Sequence, residues 1–129
     1  MARTRTPAAA APATVRLAQA AAVLCVLVLL WQFVSAGRLL SGEDATGGHG
    51  AGAVALHVTA GLLLLATALE GRRTRVWWPA ELAAVVFALT FVQAALGSAG
   101  EMAAHVPTAL VLSAGTVWLT AWAFRPATP

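Results

Sequence analysis

Residues 50–71 read GAGAVALHVTAGLLLLATALEG. No Asp, Glu, Lys or Arg stands between Gly50 and Glu70. As a helix the run rises about 30 Å, the thickness of a bilayer's hydrocarbon core. A helix closes its own backbone hydrogen bonds, so such a run can cross lipid where a loop cannot. One side chain breaks the pattern, His57. Residues 102–124 repeat the arrangement, with His105 near the start of a second apolar run.

Two more apolar runs flank these, at residues 17–36 and 77–97. The expected fold is all-α, an integral membrane four-helix up-down bundle with spans at about 17–36, 50–69, 77–97 and 102–124. For the first run a cleaved signal peptide is the alternative, since Val34-Ser35-Ala36 resembles a small-residue cleavage site. The run is longer than the roughly 7–15 apolar residues of a signal core. An even number of spans, with both termini on one side, also favours retention.

Composition agrees with lipid as the solvent. The chain has 129 residues, 60% of them hydrophobic and 10% charged. A soluble domain of this length could not hide so much apolar surface. The absence of Lys and Tyr and the wealth of Ala suggest a bacterial source. The net charge of +3 makes no case for nucleic acid, because the arginines sit at the ends of the apolar runs. Cys25 is the only cysteine, so no intrachain disulfide can form; mid-span, it reads as a small packing residue.

Between the spans the chain is polar and short. Residues 1–14, rich in Ala, Pro and Thr, read as a disordered cytoplasmic tail, and residues 126–129 as a second tail. Residues 15–125 make the domain. Residues 37–49 read as a flexible first loop, residues 70–75 as a tight basic turn, and residues 97–101 as a short turn. Trp77, Trp78 and Pro79 open the third helix, paired Trp suiting the headgroup layer and Pro a first turn. Arg3, Arg5, Arg16, Arg72, Arg73, Arg75 and Arg125 fall on one side, Arg38, Glu43, Asp44 and Glu101 on the other. The positive-inside rule then puts both termini in the cytoplasm of a bacterial cell.

The halves echo each other. Ala55-Leu-His57-Val-Thr-Ala60 matches Ala103-Ala-His105-Val-Pro-Thr108, and Gln32 before Ser35-Ala36-Gly37 matches Gln93 before Ser98-Ala99-Gly100. Each half is a Gln-bearing helix followed by a His-bearing one, the pattern of a two-hairpin internal repeat. In Ala-rich sequence, chance gives the same pattern.

By depth, Gln32, Gln93, His57 and His105 all fall roughly 5–10 Å inside the outer boundary. Polar groups are costly in hydrocarbon, so four in one layer should face inward. Three readings follow. In the first, His57 and His105 are the axial ligands of one haem b; Gln32 and Gln93 support them, and Arg38 and His49 meet the propionates. Small neighbours such as Ala53, Ala60, Gly61 and Ala109 leave room, and Pro107 frees the Ala103 carbonyl to accept a histidine N–H. In the second, the layer is hydrogen-bonding glue between helices, at roughly 0.6 kcal/mol a bond. The third is a quinone site or a metal. Zinc would want a third ligand, which Glu101 or His49 would have to supply. Glu101 and Glu81 otherwise read as ordinary acidic residues at helix starts. Catalytic triads, phosphate loops and CxxC pairs are absent, so a carrier or accessory protein is expected in place of an enzyme.

The His57-x-x-x-Gly61 span, the Gln93-Ala-Ala-Leu-Gly97 stretch and the His105 span resemble a family of small, uncharacterised bacterial four-helix membrane proteins built around Q…AG…H…Q…H. The resemblance covers roughly residues 30–125. More distantly the chain is similar to one four-helix half of haem A synthase and to cytochrome b561-like bundles. That resemblance implies His57 and His105 as axial haem ligands. It departs at the Glu-x-x-His-Arg pattern of haem A synthase, where this chain has Val54 and Val58 beside His57. A haem-b-binding electron-transfer unit is therefore the expectation, with a quinone or another membrane protein as redox partner. The alternative is a haem-free accessory protein that packs on itself or on a larger complex through its Ala/Gly faces.

Overall fold

The computed structural model describes residues 11–125. Four helices, α1 (Ala13–Leu40), α2 (Thr46–Thr74), α3 (Trp78–Ala99) and α4 (Met102–Ala123), form an up-down bundle. Each helix packs on its two neighbours, α1 on α2, α2 on α3, α3 on α4 and α4 back on α1. Among the described residues the diagonal pairs bring no Cα atoms within 8 Å of each other.

Punctuation in the sequence sets the boundaries. Pro12, extended at φ −53° and ψ 150°, precedes α1. Arg75 ends α2 in the left-handed region, at φ 63°, and its N–H donates to the Gly71 carbonyl at 2.8 Å. Pro79 occupies the first turn of α3, where a missing N–H costs nothing, and Glu81 lies in the same turn. Gly100, at φ 74°, ends α3 without the steric penalty a side chain would bring there.

Three boundaries differ from expectation. The first loop shrinks from residues 37–49 to 41–45, because helix continues on both sides of it. Arg38 reaches back to Glu43 at 2.8 Å, and the Glu43 N–H donates to the Arg38 carbonyl at 3.0 Å, so the polar residues close the helix end. The basic turn shortens likewise, with Arg72 and Arg73 still helical. At the other end of the chain, α1 takes in Ala13 and Thr14 of the expected tail, Ala11 and Pro12 precede the helix, and residues 1–10 lie outside the described residues, as do residues 126–129.

The bundle is apolar outside and small inside. Leu27, Leu30, Val54, Val58, Leu65, Leu110 and Val117 are exposed. The buried core is Ala18, Ala21, Ala22 and Cys25 of α1, Leu56, Ala60 and Leu63 of α2, Ala83 and Val86 of α3, and Leu112 and Leu119 of α4. Small side chains let the helices approach closely, as they do in lipid, where apolar contact alone gives no drive to associate. Thr67, Thr90 and Thr116 are buried too, and each hydroxyl donates to a carbonyl one turn back. All four helices are long and apolar enough to cross a membrane.

At the arginine-rich end, polar contacts tie the bundle together. Glu70, nearly buried, accepts from Arg73 Nε at 3.0 Å and from the Thr14 hydroxyl, joining α1 to α2. Gln19 Nε2 donates to the Ala123 carbonyl at 3.0 Å and joins α1 to α4.

Candidate cofactor site at the histidine end

Each polar residue picked out by depth lies at one end of the bundle. His57 sits about three turns into α2, half-buried. Its Nδ1 stands 2.6 Å from the Ala53 carbonyl, and its ring meets the edge of Phe91 on α3, centroids 4.2 Å apart. His105 sits in the first turn of α4, also half-buried, with Nδ1 3.1 Å from the Gln93 carbonyl. A carbonyl only accepts, so in both rings Nδ1 carries the proton. That fixes one tautomer, with the Nε2 lone pair left over. Neither Nε2 has a protein partner among the described residues.

Pro107 does not play the part expected of it. The His105 ring N–H crosses to α3 and takes the Gln93 carbonyl instead of the Ala103 carbonyl on its own helix. Gln93 returns the contact, Nε2 donating to the His105 carbonyl at 3.1 Å. Gly97 makes the space, since a Cβ there would stand 3.2 Å from His105 Cε1. The Gln93 Oε1 is buried and has no partner among the described residues.

Gln32 does for the first hairpin what Gln93 does for the second. Its amide donates to the His49 carbonyl at 3.0 Å and accepts the Ala53 N–H at 3.2 Å. The opposite orientation would face oxygen with oxygen and N–H with N–H. Gly52 is required beneath it, because a side chain there would run into Gln32 and Trp31. The structural equivalent of the Gln93–His105 contact is therefore Gln32–His49, although the sequence echo aligns His57 with His105. The reason is the one-turn extension of α2 below residue 50, which brings His49 onto the helix and under Gln32.

The remaining candidates divide. His49 is half-buried, its Nδ1 2.9 Å from the Ser35 hydroxyl. Arg38 points away to Glu43, and both are about half exposed. His57 and His105 stand on α2 and α4, which are diagonal in the bundle, so a shared ligand has to bridge two helices that are not direct backbone neighbours. No three His, Cys, Asp or Glu side chains gather among the described residues.

Sequence reasoning missed Ser35 and Phe91. Ser35 is 2% exposed and is one turn from Gln32 on α1, so the i, i+3 spacing of the two polar residues was the available signal. For Phe91 there was none, since it is one of many apolar residues on its helix. No protein-family model matches the chain, and neither a curated protein nor a solved structure matches it.

Proposed function

We propose that the chain is a b-type cytochrome unit of a bacterial cytoplasmic membrane, with both termini in the cytoplasm and one haem b held at the opposite end by His57 and His105. One observation carries this reading. Both imidazoles donate Nδ1–H to a backbone carbonyl and keep a free Nε2 lone pair, the arrangement in which histidine binds a metal. Bound there, haem supplies a one-electron couple between Fe(III) and Fe(II).

The chain's own residues hold and shield the group. Ala53 and Gln93 fix the two rings through their carbonyls, and Gln32 holds Ala53 in turn. The unpartnered Gln93 Oε1 is an acceptor at the same depth. Val54 and Val58 flank His57 on the exposed face and bring no proton-transfer group, so electron carriage suits the site better than oxidation of a substrate. Arg38 and His49 would meet the propionates at the membrane surface, Arg38 by leaving Glu43. A quinone or a membrane redox partner would supply the electron.

The test is a reduced-minus-oxidised visible spectrum of the full chain, expressed with a haem precursor and purified in mild detergent. Sharp α and Soret bands, lost in both His57→Ala and His105→Ala, are the expected result. A flat spectrum from well-folded protein would overturn the reading.

The Gln93–His105 pair favours a second reading. Two reciprocal hydrogen bonds already join those residues, so the same layer can serve as haem-free glue in an accessory protein. In that case His57→Ala costs little stability and no spectrum contains haem bands.

A further inference from the structure

The opposite end of the bundle carries a second feature that the histidine layer does not use. A groove of about 800 Å³ runs along the outward face of α4 from Leu110 to Arg125 and takes in Trp78 from the start of α3. Over that stretch a helix rises about 22 Å. That exceeds one leaflet's half of a roughly 30 Å hydrocarbon core, so the groove reaches from mid-bilayer into the headgroup layer. Its floor is apolar: Leu110, Val117 and Trp118 are among the most exposed hydrophobic side chains of the chain.

Its mouth is built differently. The Trp78 and Trp122 rings meet edge to face, centroids 6.0 Å apart, and the Arg125 guanidinium lies over the Trp122 ring at 5.3 Å. Stacking on the ring holds the guanidinium beside the groove. Arg125 forms no ion pair with the described residues, whereas Arg73 and Arg38 each have a carboxylate. Arg16, Arg72, Arg73 and Arg75 crowd the same end, against Glu70 and Glu81. Among the described residues this mouth is short of negative charge.

We propose that the groove is a binding site for one anionic phospholipid of the adjoining leaflet. Its phosphate pairs with Arg125 between the indoles, and an acyl chain lies along Val117 and Leu110. Charge complementarity selects the headgroup, and the length and apolar floor select a lipid over a free anion. A guanidinium presents a fork that matches two phosphate oxygens, which suits Arg at this position.

Tryptophan quenching by brominated lipid tests the site. Trp31→Phe and Trp77→Phe leave only the three groove indoles in the full chain, which is then reconstituted in phosphatidylcholine vesicles. About a tenth mole fraction of dibrominated phosphatidylglycerol should quench at least roughly twofold more than the same fraction of dibrominated phosphatidylcholine, as expected for a charge-assisted site. Arg125→Gln should bring the two lipids level while the phosphatidylcholine signal stays unchanged, which also reports an intact fold. Ala114→Phe, placed on the exposed floor of the groove, should reduce the excess without touching the charge. Equal quenching by both lipids in the parent chain would overturn the proposal, as would an excess that survives Arg125→Gln. Quenching that is both equal and weak would overturn it in favour of a second copy of the chain covering the groove.

Discussion

Gln93 and His105 are cross-paired: the Gln93 side chain donates to the His105 backbone, and the His105 side chain donates to the Gln93 backbone, both at 3.1 Å. The two contacts lock the end of α3 and the start of α4 in one register. Gln93→Leu removes one of them and keeps the imidazole's own bond to the backbone carbonyl. The expected loss is about 0.6–1.7 kcal/mol, the scale of such bonds in membrane bundles. Reversible unfolding in detergent mixtures measures it, and a loss above about 3 kcal/mol would show that Gln93 holds more than this pair.

Gly52 lies where Gln32 and Trp31 press on α2. Gly52→Ala forces a methyl group against both, including a Trp31 Cδ1 only 2.7 Å from the new Cβ. Overpacking of this kind costs about 1–3 kcal/mol. A methyl group added at Gly37, near the end of α1, would meet nothing within 4 Å. Gly37→Ala should therefore be neutral or stabilise by up to about 1 kcal/mol. Thermal melts followed by circular dichroism should separate the two substitutions in opposite directions.

Glu70 and Arg73 form an unequal pair. The Glu70 side chain is 7% exposed and that of Arg73 50%. Removing the carboxylate leaves a guanidinium that water or lipid phosphate can reach. Removing the guanidinium leaves a carboxylate in the bundle with Thr14 as its only other side-chain partner among the described residues. Arg73→Gln should therefore lower the melting midpoint more than Glu70→Gln does. The deficit of Arg73→Gln should shrink as the pH falls, because a protonated Glu70 no longer needs the cation. Melts of both variants at about pH 5 and pH 8 check the order and the sign.

His49 separates the proposed ligands from their neighbour. If His57 and His105 hold the iron, His49→Ala keeps both visible bands, and the reduction potential moves because a polar group at the propionate edge is gone. If His49 is itself a ligand, the bands of His49→Ala collapse while those of His57→Ala survive. Potentiometric titration of the His49, His57 and His105 variants decides between the two.

Much of this architecture was legible because lipid imposes a simple rule. An apolar run of about 20 residues reads as a helix, and four such runs with short links read as a bundle. The layer of His57, His105, Gln32 and Gln93 was legible for the same reason, since depth follows from counting residues. What counting could not give was the direction of each side chain. Nothing in the sequence says that the His105 ring N–H crosses to Gln93 on α3 while the His57 ring N–H stays on α2. Gly47 and Gly48 favour a loop beside His49, yet in the fold they lie in the first turn of α2, where Trp31 Nε1 donates to the Gly48 carbonyl at 3.0 Å. Tertiary contact overrode local preference there. The Thr14–Glu70 contact spans 56 residues and has no local signature at all.

The closed ring of neighbours leaves no helix with a privileged place in the order. Because α1 packs on α4 as well as on α2, and Gln19 bonds to Ala123 at the seam, the point where the chain begins is a matter of connection and not of packing. Joining the ends and reopening the chain between residues 41 and 45 would keep all four helix contacts and move the free ends to the opposite side. Packing and connection are separable in this molecule: the helix faces decide the first and leave the second free.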